Sequence, residues 1–140
     1  QMDCLFCRIV SGEVPATLVY EDKNALAFLD HRPLFPGHTL LVPRDHVETL
    51  VDLPHQLVGP FFEAAQSLAR AVEFAMKAEG TFVAMNNRVS QSVPHLHVHI
   101  VPRRRKDGLK GFFWPRTKYK DEEEMKVVQQ QIVDALQYQK

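Results

Sequence analysis

The chain has 140 residues, 45% of them apolar, which is enough to bury one core and too few to build two independent ones. Its 17 basic and 17 acidic residues cancel, so net charge gives no attraction for a polyanion such as duplex DNA, and any phosphate site must be local. No stretch reaches the roughly 20 consecutive apolar residues of a membrane span, and the N-terminus lacks the pattern of a secretion signal. We set aside Gln1, which precedes Met2, and expect one domain over residues 2–140 in a cytoplasmic protein.

Three short apolar runs in the first third of the chain predict β-strands. They cover Leu18–Tyr20, Ala25–Leu29 and Thr39–Val42, and Asp, Asn, Pro and Gly residues typical of tight connections separate them. The third run follows a Pro-Gly step, which places His38 at the head of that strand.

A long amphipathic helix is predicted after these strands. Between Pro54 and Gly80, apolar residues recur at helical spacing, and Gly80 is a natural end for the helix. Pro60 removes a backbone hydrogen bond within this segment, so we expect the helix to kink there or to begin near it.

Two further strands and a second helix complete the predicted fold. Thr81–Met85 and Leu96–Val101 are rich in apolar and β-branched residues. A helix is predicted from Asp121 onward, because Asp121 and Glu124 resemble a capping box ahead of an apolar stripe. Packed in layers, these elements give an α+β domain with about five mostly antiparallel strands and two main helices.

Three histidines alternate with apolar residues in the predicted last strand. Because side chains alternate along a strand, His95, His97 and His99 are expected on one face. A neutral imidazole is a good nucleophile near pH 7, and it can attack phosphorus with one ring nitrogen while an acceptor holds the other. Flanking histidines can stabilise the phosphoryl charge or protonate the leaving group. A transition-metal site and a purely structural set of histidines are the alternatives.

This run resembles the signature of the histidine-triad superfamily. Further landmarks stand in the same order as in that family: Cys4-Leu-Phe-Cys7-Arg-Ile-Val, Ala27-Phe-Leu-Asp30, Pro36-Gly-His38 and Gln91-Ser92-Val-Pro94. The likeness is nearest to bacterial zinc-bearing members and to diadenosine polyphosphate hydrolases. It implies a histidine-triad-like α+β fold that binds nucleotides and forms a homodimer, with a covalent nucleotidyl-histidine intermediate.

The resemblance also implies the catalytic residues. His97 looks like the nucleophile. His99 and Gln91 resemble the groups that hold the phosphate and stabilise its transition state, and His95 completes the catalytic set as the first histidine of the triad.

Four further residues resemble substrate-binding positions. His38 matches a histidine of the phosphate site, Asn86 lies near a polar residue that contacts the phosphate chain, and Ser92 is an additional donor. Asp30 falls where the family binds the ribose hydroxyls, although an Asp before a proline-bearing turn can equally cap the local backbone. The choice of Asn86 over its neighbour Asn87 stays open.

Cys4 and Cys7 form a Cys-x-x-Cys pair, which in a reducing compartment indicates metal or redox chemistry before it indicates a disulfide. A closed tetrahedral zinc site needs two more ligands, and His46 and His95 match the histidines of zinc-bearing relatives. Such a zinc would be structural, holding the N-terminal segment against the histidine strand. A metal-free pair of buried thiols is the alternative, and no organic cofactor is expected.

The segment 103–120 interleaves basic and aromatic residues. Such a loop can hold a polyphosphate tail while a ring stacks on a second base. It can also be a solvated charge run beside a dimer interface that buries the aromatic residues.

From this pattern we expect hydrolysis at the α-phosphorus of dinucleoside polyphosphates, with a purine nucleotide as substrate and neither a membrane nor a nucleic acid as partner. A nucleoside phosphoramidase, acting on adenosine phosphoramidate or AMP-lysine, is the first alternative. A non-catalytic nucleotide-binding module and a hydrolase with a zinc-activated water are the others.

Overall fold

The computed structural model describes residues 3–110 and 116–137, and the chain divides after Asp107 into two units. In its described part, the first unit has two α-helices and five strands. They are α1 (Leu5–Val10), β1 (Leu18–Glu21), β2 (Ala25–Leu29), β3 (Thr39–Pro43), α2 (His55–Ala75), β4 (Gly80–Ala84) and β5 (Val98–Arg103). A 3-10 turn at Leu50–Asp52 precedes α2, and the second unit contains α3 (Glu122–Leu136).

The five strands form one sheet in the order β1-β2-β3-β5-β4, and each neighbouring pair is antiparallel. This confirms the predicted α+β class. In the ladder between β3 and β5, Leu40 lies opposite His99. Because side chains alternate, His38, Leu40 and His99 point to the same side of the sheet, and this register brings two of the predicted site histidines together.

Each face of the sheet has its own apolar cover. On one face, α2 packs the buried residues Phe61, Ala64, Ala65, Leu68 and Val72, which recur at helical spacing, against β2, β3 and β5. On the other face, Cys4 and Phe6 pack against Leu26, Phe28, Leu40 and Val42. The N-terminal segment is therefore fixed on the face of the sheet that carries His99.

The long helix begins directly after Pro54, as the apolar spacing predicted, but it ends earlier than expected. It begins at His55 with Pro60 inside it, so a proline in its second turn is tolerated. It ends at Ala75, five residues before Gly80, because Lys77 adopts a left-handed backbone conformation with φ 53° that no α-helix can continue.

Two other local features differ from the sequence prediction. Helix α1 was not expected; Cys4 caps it, with its Sγ accepting a hydrogen bond from the Cys7 N–H at 3.3 Å. Strand β5 begins at Val98 rather than Leu96, because the Leu96 N–H donates to the Val47 carbonyl at 2.8 Å instead of to a ladder partner. Of the three histidines, only His99 therefore lies within the strand.

The second unit carries one half of the predicted capping box. The side chain of the N-cap residue Asp121 accepts from the Glu124 N–H at 2.8 Å. The Glu124 carboxylate accepts from the N–H of Lys120, which precedes the N-cap, and not from the N-cap N–H itself. Within the described residues, no helix has the length and apolar character needed to span a bilayer.

Candidate active site and metal centre

Four side chains from three separate segments converge on one point. The ligand atoms of Cys4, Cys7, His46 and His95 all lie within 4.8 Å of one another. Cys4 Sγ lies 3.3 Å from His95 Nδ1, Cys7 Sγ lies 3.3 Å from His46 Nδ1, and Cys7 Sγ lies 3.5 Å from His95 Nδ1. Usual zinc bond lengths place neighbouring sulfur and nitrogen ligands of a tetrahedron roughly 3.5 Å apart. The four residues therefore fit a closed zinc site.

Hydrogen bonding prepares His95 as a ligand. Its Nε2 lies 2.9 Å from the Pro43 carbonyl oxygen, which can only accept, so Nε2 carries the proton and Nδ1 presents its lone pair to the two thiols. The side chain is completely buried. With both ring nitrogens committed, His95 has none to offer a substrate, and its predicted catalytic role is corrected to a supporting one.

The Cys7 thiol is hard to deprotonate unless a metal ion binds it. Burial, together with the neighbouring Cys4, raises the pKa of the Cys7 thiol to about 11. Without a metal this thiol would stay protonated near neutral pH and would be a poor nucleophile. A raised pKa therefore argues against redox chemistry at this pair. It is compatible with metal binding, because a metal ion can displace the thiol proton.

His97 has one ring nitrogen held and the other open. Its Nδ1 donates to the His95 carbonyl oxygen at 2.8 Å. Its Nε2 has no hydrogen-bond partner among the described residues, where every buried side-chain nitrogen or oxygen has one, so Nε2 is open to solvent. The ring is otherwise buried, 3% exposed, with the Phe6 ring edge-on at a centroid distance of 5.0 Å. This is the arrangement that a nucleophilic imidazole requires.

A backbone N–H determines the tautomers of His38 and His99. The Leu34 N–H donates to His38 Nδ1 at 3.0 Å, so the proton of neutral His38 must be on Nε2. His38 Nε2 lies 3.0 Å from His99 Nδ1 and donates to it. The proton of His99 is then on its Nε2, where it can donate to a phosphoryl oxygen.

The turn before His38 explains why His38 can reach both Leu34 and His99; we call the hydrogen-bonded pair His38 and His99 the relay. Gly37 has a φ of +100°, and a Cβ at this position would lie 2.7 Å from Met76 Cγ. Glycine alone satisfies both the left-handed conformation and the close approach. The Pro36-Gly37 step is therefore required for the position of His38.

Both relay histidines are neutral at pH 7. Burial, and after it the nearby His97 and His38, lower the pKa of His99 to about 4 against the opposing effect of Asp30. Burial also lowers the pKa of His38, although Asp30, whose Oδ2 lies 3.7 Å from His38 Nε2, acts in the other direction. These residues are thus N–H donors in the resting site, not imidazolium acids.

Stability should depend on this burial in a predictable direction. His99 binds a proton near pH 6.5 when unfolded but only near pH 4 when folded, so the stability it contributes is complete above about pH 6.5 and is lost as the pH falls toward 4. We expect urea unfolding between pH 7 and pH 4.5 to show a smaller loss of stability for His99→Asn than for wild type. His31→Gln, at an exposed histidine, is the control and should follow wild type. Equal slopes for all three proteins would contradict the assignment.

A second group of possible ligand atoms belongs to Asp30, His38 and His99. The proton that Leu34 fixes on His38 Nε2 occupies the lone pair that a metal would need. This group is therefore a hydrogen-bonding relay rather than a metal site.

Asp30 divides its two oxygens between the uses considered from the sequence. Oδ1 accepts from the Arg32 N–H at 2.9 Å, which is the turn-capping role. Oδ2 faces His38, on the side of the active site. Binding of a ribose by this carboxylate stays a prediction.

The loop before the histidines uses two of the predicted site amides internally. Gln91 Oε1 accepts from the Arg88 N–H and Gln91 Nε2 donates to the Glu48 carbonyl oxygen, both at 2.7 Å. Asn86 Nδ2 donates to the Ser90 carbonyl oxygen at 3.1 Å. Ser92 is exposed next to Gln91. Substrate contacts of these three predicted residues remain predictions, and the geometry gives Gln91 and Asn86 structural partners that the sequence did not indicate.

Sequence reasoning also missed two groups that contact the site histidines. The ring of Phe6 lies edge-on to His95 as well as to His97. The place of Phe6 in the sequence, between the two cysteines, could have indicated that it lies near the site. The Leu34 N–H gave no signal, because a backbone group leaves no trace in the residue type.

Two of the four cationic side chains at the start of the basic loop are paired with carboxylates. Arg103 Nε lies 2.6 Å from Asp107 Oδ2, and Arg105 Nη1 lies 3.0 Å from Glu79 Oε2. Arg104 donates to a carbonyl oxygen at the end of α2. These contacts favour the solvated charge run over a polyphosphate clamp at 103–107. The aromatic residues within 111–115, proposed to stack on a base, lie outside the described residues.

A model of the HIT domain family matches residues 11–106. Protein hit of Bacillus subtilis is 38% identical over 114 residues, which are 80% of this chain and 79% of that protein. Adenosine 5'-monophosphoramidase HNT1 of Saccharomyces cerevisiae is 37% identical over 76% of this chain and 66% of its own length. Adenylylsulfatase HINT3 of Arabidopsis thaliana is 35% identical over 78% of this chain and 56% of its own length.

Two solved structures extend the similarity to the fold. The structure of SMU.412c from Streptococcus mutans has a TM-score of 0.88 and 35% identity, covering 97% of this chain and 87% of its own. A zinc-bound histidine triad family protein from Mycobacterium smegmatis has a TM-score of 0.73 and 37% identity, covering 96% of this chain and 98% of its own.

Proposed function

Because this chain belongs to the HIT domain family, we propose that it is a nucleotide hydrolase that cleaves a bond at the α-phosphorus through a covalent nucleotidyl intermediate on His97. The observation that carries the proposal is the state of that imidazole, with Nδ1 bonded to a carbonyl oxygen and Nε2 open to solvent. Relatives named as an adenylylsulfatase and an adenosine 5'-monophosphoramidase support hydrolysis of nucleotides as the general activity.

In the first step, the lone pair of His97 Nε2 attacks the phosphorus as the bond to the leaving group breaks. The leaving group takes the bonding electron pair, and the positive charge that develops on the imidazole is stabilised by the hydrogen bond from Nδ1 to the His95 carbonyl oxygen. His99, with its proton on Nε2, donates to the phosphoryl oxygens as they gain charge.

In the second step, a water oxygen attacks the same phosphorus. The bond between phosphorus and His97 Nε2 breaks, its electron pair returns to the ring nitrogen, and a proton from the water is released to solvent. The products are a nucleoside monophosphate and free enzyme.

The neutral relay favours substrates whose leaving group departs as an anion. His38 and His99 supply N–H donors, because burial lowers the pKa of both side chains. A nucleotide expelled from an anhydride needs only such hydrogen bonds, whereas an amine expelled from a phosphoramidate needs a proton. We therefore propose dinucleoside polyphosphates, with purine bases, as the substrate class, and nucleoside phosphoramidates as the second candidate because of the yeast relative.

A direct comparison on one enzyme preparation tests this choice. We expect kcat/KM for a diadenosine polyphosphate to exceed that for adenosine phosphoramidate by about tenfold or more, which corresponds to about 1.4 kcal/mol of transition-state stabilisation. A phosphoramidate preference of a hundredfold would overturn the substrate class and leave the nucleophile assignment intact.

The four residues Cys4, Cys7, His46 and His95 are proposed to hold a structural zinc ion. When bound, the ion supplies rigidity rather than chemistry, because four protein ligands close the tetrahedron and leave no position for a water. This disfavours the alternative of a metal-activated water. The zinc-bound mycobacterial relative supports the same proposal.

Homodimer formation and a cytoplasmic location stay predictions. Strand β4 stands at one end of the strand order, and the Val83 side chain is 46% exposed, so this strand offers apolar surface that a second copy could cover. Sedimentation equilibrium at micromolar concentration would contradict pairing if only the monomer mass were found.

A further inference from the structure

The loop that leads into the histidine segment holds two non-glycine residues in left-handed conformations. Arg88 has a φ of 73° and Ser90 a φ of 62°. Residues with a Cβ pay a steric cost there, and such conformations persist only where the surroundings impose them. Something must therefore hold this loop.

The Gln91 side chain is the clearest restraint. Its Oε1 accepts from the N–H of Arg88, one of the two strained residues, and its Nε2 donates to the Glu48 carbonyl oxygen, each at 2.7 Å. One amide thus closes the loop on itself and attaches it to a neighbouring segment. The amide keeps a second Nε2 proton and a second Oε1 lone pair, so its two backbone partners fix the orientation in which it could meet a substrate.

The same neighbouring segment also holds the other end of the histidine run. The Leu96 N–H donates to the Val47 carbonyl oxygen at 2.8 Å, so residues 91 and 96 are attached to two consecutive carbonyls. Val47 directly follows the zinc-ligand candidate His46. His95 lies between these two attachment points, and its carbonyl oxygen accepts from His97 Nδ1.

We propose that Gln91 is a positioning residue: it holds the strained 86–90 loop so that the segment carrying His95, and through it the nucleophile His97, keeps its place. This inference rests on the proposed hydrolase activity for its kinetic consequence. It differs from the role implied by family resemblance, in which Gln91 holds the phosphate itself.

The substitution Ser90→Gly distinguishes a positioning role of Gln91 from direct phosphate contact. Gln91→Ala should lower kcat by about tenfold while the affinity for AMP stays within about threefold, because the nucleophile is displaced and the binding surface persists. Ser90→Gly relieves one strained position, so the double variant Gln91→Ala/Ser90→Gly should recover about fivefold of the lost kcat. Ser90→Gly alone should stay within about twofold of wild type.

The matched control is Gln91→Ala/Ser90→Ala, which changes the same position without relieving φ, and it should show no recovery. If the glycine double variant is as impaired as Gln91→Ala, or if both double variants recover equally, the positioning role is refuted. Loss of AMP affinity by a hundredfold in Gln91→Ala would also refute it, in favour of direct phosphate contact.

Hydrogen exchange tests the restraint without any turnover. In the wild-type protein the Arg88 amide should be protected, and Gln91→Ala should raise its exchange rate by about tenfold or more, with little change in the β3 and β5 amides. An unchanged Arg88 rate would refute the restraint. If the protein fails to hydrolyse any nucleotide, the proposed function fails, but this measurement still decides whether Gln91 holds the loop.

Discussion

His97→Ala is expected to abolish hydrolysis, lowering kcat by about 10⁴-fold or more, while the affinity for AMP stays within about tenfold. The variant removes the ring nitrogen that forms the bond to phosphorus, an interaction that exists only on the way to the transition state. Most of the ring is buried, so little binding surface is lost with it. Steady-state kinetics and calorimetric titration with AMP measure the two quantities separately.

The intermediate itself supplies a second measurement. Rapid quenching of wild-type protein during turnover into alkaline denaturant, in which a bond between phosphorus and a histidine nitrogen survives, should yield a fraction of chains heavier by one nucleotidyl group, and the variant should yield none. His31→Ala, at an exposed histidine outside the relay, is the matched control and should behave as wild type. Equal hydrolysis by wild type and His97→Ala would return the chain to the class of nucleotide-binding modules.

The alternation of histidines with apolar residues predicted a shared site, but not which strands bring its residues together. β3 and β5 bring His38 and His99 together, a strand pairing that no pattern in the sequence indicated. The expectation of three histidines on one strand face is wrong, because the strand begins only at Val98 and His95 turns its nitrogens to Pro43 and the cysteines. The Val47 carbonyl that draws the Leu96 N–H out of the ladder is 49 positions away in sequence, and no local pattern encodes that choice.

The tautomers of the site histidines could not be predicted from the sequence at all. The tautomer of His38 depends on the Leu34 backbone N–H, and the tautomer of His97 depends on the His95 carbonyl. Backbone groups are the same at every position, so their effect appears only when the chain is folded. Gln91 shows the converse case: the family resemblance implied a phosphate contact, while in the structure both its amide oxygen and its amide nitrogen bond the backbone.

The four candidate zinc ligands, by contrast, could be identified because metal coordination depends on side-chain type and spacing. Cys4 is the N-cap of α1 and Cys7 lies in its first turn, and the Cys7 N–H donates to Cys4 Sγ, so the start of this short helix directs both sulfurs to one point. The two histidines come from segments on either side of α2, and therefore needed the family resemblance to be found.

Cys7→Ser is accordingly expected to lower the zinc content from about one ion per chain to near zero and to lower Tm by about 10 °C. The apolar clusters on both faces of the sheet should keep the protein folded, so the loss is smaller than for a domain that depends on its metal. Elemental analysis and thermal unfolding measure the two effects. Ser11→Ala, just past the end of the same helix, is the control for local disturbance.

Activity should then separate a structural zinc from a catalytic one. Cys7→Ser is expected to retain kcat within about thirtyfold of wild type at a temperature where it is folded, because His97 keeps its nitrogen and loses only the rigidity passed on through His95. A loss as complete as that of His97→Ala, with the fold intact, would mean that the metal takes part in the reaction. Wild-type protein that is fully active with less than about a tenth of a zinc ion per chain would instead remove zinc from the site, and leave the two thiols as a buried pair beside the nucleophile.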